Sequence, residues 1–97
     1  MQPIYKEIAP DVERALGEVM LAECKGRNVP AWIVASRADF AQSTVKAFTR
    51  GKRQPKLATF IALAWALHME PRDLFDKLLT TMRLPPGKRP VLHTFPK

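Results

Sequence analysis

Cysteine is almost absent from this chain. Cys24 is the single one in 97 residues, which excludes an internal disulfide framework and fits a reducing compartment. Histidine is nearly as scarce, with only His68 and His93, so no spacing suited to zinc ligands exists and no metal site is expected. No apolar run approaches the length of a membrane span, and the N-terminal MQPIYKEIAP lacks the hydrophobic core of a signal peptide. A cytoplasmic chain with no membrane partner is the expectation. No P-loop, dinucleotide-binding glycine pattern or Ser/His/Asp grouping occurs, and Gly51-Lys52-Arg53 lacks the flanking glycine and hydroxyl of a phosphate loop. Neither enzymatic activity nor a cofactor is expected. Repeats and low-complexity tracts are missing too.

A further absence is local. From Phe40 through Met69 there is no Asp or Glu, while Lys46, Arg50, Lys52, Arg53 and Lys56 fall inside that window. The acids gather elsewhere, at Asp11, Glu13, Glu18 and Glu23 and again at Glu70, Asp73 and Asp76. A net charge of +7 and a pI near 10.1 are therefore concentrated rather than spread. Such polarity suggests a positive face for nucleic acid, although a charge run more often is a solvated surface.

What is present is a chain of ordinary globular composition, 46% hydrophobic and 26% charged, long enough for one domain with a modest core. The periodicity predicts an all-α bundle of five helices. Residues 1–9 read as a short N-terminal arm in extended form. Pro10 and Asp11 suit the start of a first helix, in which Val12, Leu16, Val19 and Met20 make one apolar stripe, continued by Cys24 as a small buried residue. Gly17 weakens that helix, and a close crossing is a reason for it. Gly26 is placed at the helix end. A central helix over about 56–68 is apolar nearly all round, with Leu57, Phe60, Leu63, Ala64 and Leu67 as its core stripe and His68 partly buried at its end. A last helix over about 72–80 is expected to bury Leu74, Phe75 and Leu78. Residues 81–97, TMRLPPGKRPVLHTFPK, hold four of the nine prolines and no helical period, and read as a Pro-rich C-terminal tail. The globular domain is thus placed at residues 10–80.

Residues 31–50, AWIVASRADFAQSTVKAFTR, organise the rest. Val34, Ala35 and Ala38 share one face of a short helix, and Ala41, Val45 and Phe48 share one face of the next. Asp39 stands between them, a residue that tolerates a left-handed turn. The second helix, over 41–49, turns Gln42, Ser43, Lys46, Ala47 and Arg50 outward, a face of hydrogen-bonding and cationic groups.

This segment resembles the helix-turn-helix of the Cro and phage-repressor (XRE-type) family. Ala35 fits the family's small residue in the first helix; Asp39 stands where glycine is usual; Val45 and Phe48 occupy the core positions of the second helix. Downstream, Gly51, Pro55, Leu63, Ala64, Ala66, Leu67 and Met69 follow the family's G-x-x-x-P and helix pattern, so the likeness runs over about residues 12–79. Pro30 and Ala31 stand where relatives carry a hydroxyl cap followed by Gln. The resemblance implies a lambda-repressor-like DNA-binding domain and a transcriptional regulator, a repressor, that reads double-stranded DNA with helix 41–49 in the major groove. Base edges would then fall to Gln42, Ser43 and Lys46, thymine methyls to Thr44 and Ala47, and phosphates to Arg50, Lys52 and Arg53. Relatives pair as two-fold dimers on near-palindromic sites.

Trp32, Ile33, Ile61 and Trp65 occupy positions commonly polar in that family. They are extra core covered by arm or tail, or they are a protein interface, in which tryptophan is enriched. Ile61 and Trp65 are the candidates for a homodimer contact, with the tail from Met82 as a possible exchanged arm. The rival reading of the whole chain is a protein-interaction module, an antitoxin-like adaptor on the same scaffold with a protein partner.

Overall fold

Apolar residues at helical spacing produce five helices in the computed structural model, which describes residues 4–83: α1 (Ile4–Arg27), α2 (Ala31–Ala38), α3 (Gln42–Thr49), α4 (Leu57–Ala66) and α5 (Pro71–Thr81). There is no strand among the described residues. α1 packs on α3 and α5, α2 on α3 and α4, and α4 on α5. Leu16 and Met20 of α1, Val34 of α2, Val45 of α3, Leu63 of α4, Leu67 just beyond it and Leu74 of α5 are all fully enclosed. Each aliphatic side chain removed from water in this way stabilises the fold by ~1.5–3 kcal/mol. None of the described helices is long and apolar enough to cross a membrane.

Three expectations about α1 need correction. The segment expected as an extended arm is helical from Ile4, so α1 runs for 24 residues with Pro10 inside it. Proline suits a helix start but also persists in an interior at the loss of one backbone bond, here to the carbonyl of exposed Lys6. The extra turns are tied to the body by Gln54, whose Nε2 donates to the Tyr5 hydroxyl at 3.3 Å and to Glu13 Oε2 at 3.2 Å. Nor does Gly26 end the helix: α1 continues to Arg27, and Asn28 takes the left-handed conformation at φ 56°.

The same device closes three helices. Asn28, Asp39 and His68 all have positive φ (56°, 61° and 58°), a region that asparagine and aspartate enter more readily than most residues. Behind each, an apolar residue sends its N–H back to the last turn: Val29 to the Cys24 carbonyl, Phe40 to Ala35 and Met69 to Ala64, each at 2.9 Å. This is the Schellman arrangement, with a hydrophobic residue folded onto the helix end. His68 is therefore exposed at a left-handed turn rather than partly buried. α3 ends in the same way at Gly51, φ 71°, where Lys52 N–H reaches the Ala47 carbonyl at 3.1 Å.

Gly17 is indeed a crossing residue. A Cβ there would lie 2.8 Å from the Gly51 nitrogen, 3.0 Å from its Cα and 3.1 Å from the Thr49 carbonyl oxygen. α1 and the end of α3 thus touch backbone to backbone. The apolar periodicity of α4 and α5 was less exact as a guide: Leu57 is 77% exposed and Phe75 51% exposed, so neither is core. An all-round apolar helix such as α4 has no polar face to mark its outside. Ala41 also lies outside the core, exposed as the residue preceding α3. Met82 is partly buried against the core of its own subunit, so the chain does not depart as a free arm at that point. The remainder of the expected tail, with His93, lies outside the described residues.

Candidate nucleic-acid interface

α2 and α3 are joined by three residues, and Asp39 supplies the left-handed step between them. Ala35, nearly enclosed, lets the two helices approach. Val45 and Phe48 anchor α3 by one side, which forces the opposite side of this two-turn helix into solvent. Gln42, Ser43 and Lys46 are exposed there, while Thr44 and Ala47 lie half-buried on its flanks. Among the described residues, none of the side chains of Gln42, Ser43 or Lys46 has a hydrogen-bond or ion-pair partner. Thr49 turns inward on its own helix, its hydroxyl donating to the Lys46 carbonyl at 2.9 Å.

The cations continue past the helix. Arg50, Lys52 and Arg53 are exposed, and Arg53 lies over the Phe48 ring with Cζ 5.8 Å from its centroid, a cation–π contact that steadies the guanidinium without neutralising it. Lys56, expected within the central helix, instead precedes it as an exposed N-cap, adding a cation to the loop. α2, α3 and α4 each lack an acid in the first turn and a side-chain cap. Their free N–H groups and helix dipoles add partial positive charge. Beside this face a groove of about 830 Å³ runs between α3 and α1, bordered by Lys46, Arg50 and Lys52 on one side and by Arg14 and Glu18 on the other. Glu18 is engaged by Arg14.

Helical spacing sets Gln42, Ser43, Lys46 and Arg50 along one side of α3, Lys46, Arg50 and Lys52 border one groove, and Arg53 lies over Phe48 at the edge of the core. Ile61 and Trp65 lie on a separate one, α4, with Ile61 partly covered and Trp65 64% exposed. Trp32 is 58% exposed on α2. Sequence reasoning missed Arg37, whose Nη1 donates to the Ala66 carbonyl at 2.8 Å and closes the end of α4; that partner is 29 residues away, beyond any local signal. Cys24 packs against the core, and burial, reinforced by the charge of Glu23, pushes its thiol upward, which disfavours the thiolate. Among the described residues no group of three His, Cys, Asp or Glu side chains could hold a metal ion.

Comparison with protein families, curated proteins and solved structures finds no match to this chain. The geometry of the face therefore carries the functional argument.

Proposed function

We propose that this chain is a sequence-specific double-stranded DNA-binding protein, a small transcriptional repressor built on a lambda-repressor-like five-helix domain. One observation carries the reading. A short helix held by Val45 and Phe48 presents Gln42, Ser43 and Lys46 without intramolecular partners, beside a loop of cations in a window free of acids. α3 has the width to enter the major groove, where Gln42 can pair bidentately with an adenine edge and Ser43 and Lys46 can reach neighbouring bases. Thr44 and Ala47 border thymine methyls. Arg50, Lys52 and Arg53, with Lys56, contact phosphate and fix the register.

A helix of this length reads only a few base pairs, which is thin discrimination against a genome of competing sites. The role therefore includes a two-fold homodimer on a near-palindromic operator, with recognition helices about 34 Å apart and Ile61 and Trp65 at the contact. The exposure of Trp65 and Trp32 also favours a second reading, an antitoxin-like adaptor for a protein partner. Selection from random duplexes separates the two. Recovery of a preferred sequence with inverted half-sites supports the repressor, and enrichment of no sequence leaves the adaptor.

A further inference from the structure

An apolar groove of about 510 Å³ lies between α1, α4 and α5. Buried Leu16, Phe60 and Leu78 line it together with half-buried Val12, and exposed Leu57 and Phe75 stand at its rim. Pro55 and Pro71 also line it, and Phe60 meets Phe75 edge to face, centroids 6.1 Å apart at 88°. Leaving Leu57 and Phe75 in water is unfavourable, and the rings and prolines together form the kind of surface on which extended proline-rich chains dock.

The chain itself arrives at this groove. The Arg14 guanidinium donates to the Thr81 carbonyl at 3.1 Å, and the Arg83 N–H donates to both oxygens of Asp11 at 3.0 and 2.9 Å. Asp11 precedes Val12, and Leu78 is one turn before Met82, so the last described residue is pinned beside two of the residues that line the groove, Val12 and Leu78. Fourteen residues follow, LPPGKRPVLHTFPK, enough to reach about 43 Å in an extended proline-type conformation. The α5 stretch from Pro71 to Leu78 spans only about 10 Å. Pro85, Pro86, Pro90 and Pro96 have no N–H to leave unsatisfied on an apolar surface. Leu84, Val91, Leu92 and Phe95 supply the side chains to fill it.

We infer that residues 84–97 fold back within their own subunit and occupy the α1–α4–α5 groove, covering Leu57 and Phe75. This holds whether or not α3 reads DNA. The test is paramagnetic broadening in the full chain, with Cys24→Ala and Val91→Cys carrying a nitroxide. The expected result is loss of amide signal at Val12, Leu57 and Phe75, restored when the nitroxide is reduced. The loss is also expected to disappear in Phe75→Glu or, should that variant unfold, in Leu57→Glu at the more exposed rim. In a mixture of nitroxide-bearing unlabelled chains with isotope-labelled chains lacking the nitroxide, no loss is expected. Groove signals that never broaden overturn the inference. Broadening in the mixed sample also overturns it, because the occupant is then a second copy's tail.

Discussion

The two halves of this molecule treat charge in opposite ways. In the α1–α5 half, cations and acids are joined: Arg14 to Asp11 and Glu18, Glu23 to Arg27 at 2.9 Å and to Lys77 at 3.1 Å. Every ion pair found among the described residues includes a residue of α1. In the α3 half, Lys46, Arg50 and Lys52 form no ion pair among the described residues. The lesson is that a cation's meaning lies in its neighbours. The first set braces α1 along its own length and, through Glu23 and Lys77, ties it to α5; the second, on the proposed function, answers the negative charge of a phosphate backbone.

The joint between the halves is the most sensitive place to break that arrangement. Alanine at Gly17 improves helix propensity by ~1 kcal/mol, yet its Cβ meets backbone atoms of Gly51 that cannot rotate away. Overpacking of this kind removes about 1–3 kcal/mol, and steric conflict wins. Gly17→Ala should lower the denaturation midpoint, with a larger loss for Gly17→Val.

Within the α3 half, Gln42→Ala should weaken binding to the selected duplex by about 1–3 kcal/mol while leaving random DNA nearly unchanged. Its folding stability should move by less than about 0.5 kcal/mol, as for exposed side chains without partners. Equal losses on both duplexes would remove Gln42 from base reading.

A smaller effect of opposite sign is expected at the turns. His68 holds a left-handed conformation that an L side chain enters at the expense of roughly 1 kcal/mol. His68→Gly should therefore raise the thermal midpoint, and Asp39→Gly should do so by less, since aspartate already tolerates the region. A fall in either midpoint would mean that the side chain contributes contacts greater than the conformational strain.

The smallest effect sharpens the α1–α5 side. The hydrogen bond from Arg27, chiefly, and then the contact with Lys77 hold the Glu23 carboxyl below its ordinary range, against the opposing pull of burial. Because the folded value is depressed, the stabilisation is complete above the unfolded value of about 4.3. It is lost as pH falls through the folded value. Glu23→Gln should therefore differ from the wild type at neutral pH by no more than about 1 kcal/mol and converge with it in acid. A constant difference at all pH values would remove the ion pair from the account.

Much of this architecture is legible in the residues, for a physical reason. Val45 with Phe48 and Leu63 with Leu67 recur at the helical period, and all are buried. The outward set of α3 follows from that inward set by geometry alone. Pro10 was misread because proline at a helix start and proline inside a helix look identical in a string. Gly26 was misread because Asn28 performs the left-handed turn that glycine usually performs. Leu57 was misplaced because apolar residues on every side of α4 hide which side faces out, and Phe75 because it adjoins Leu74 on α5, where the buried side is taken by Leu74 and Leu78. The pairing of Glu23 with Lys77 spans 54 residues, a distance at which only the folded chain specifies a neighbour.

The most direct test of the central claim is the salt dependence of affinity for the selected duplex, in the wild type, Lys52→Ala, Arg53→Ala and Lys77→Ala. Loss of one phosphate contact should flatten the slope of log K against log salt by about 1. The account predicts that change for Lys52→Ala and Arg53→Ala, and an unaltered slope for Lys77→Ala, whose charge is already answered by Glu23. A slope that changes equally for all three, or for none, would contradict the assignment of the α3 face to DNA.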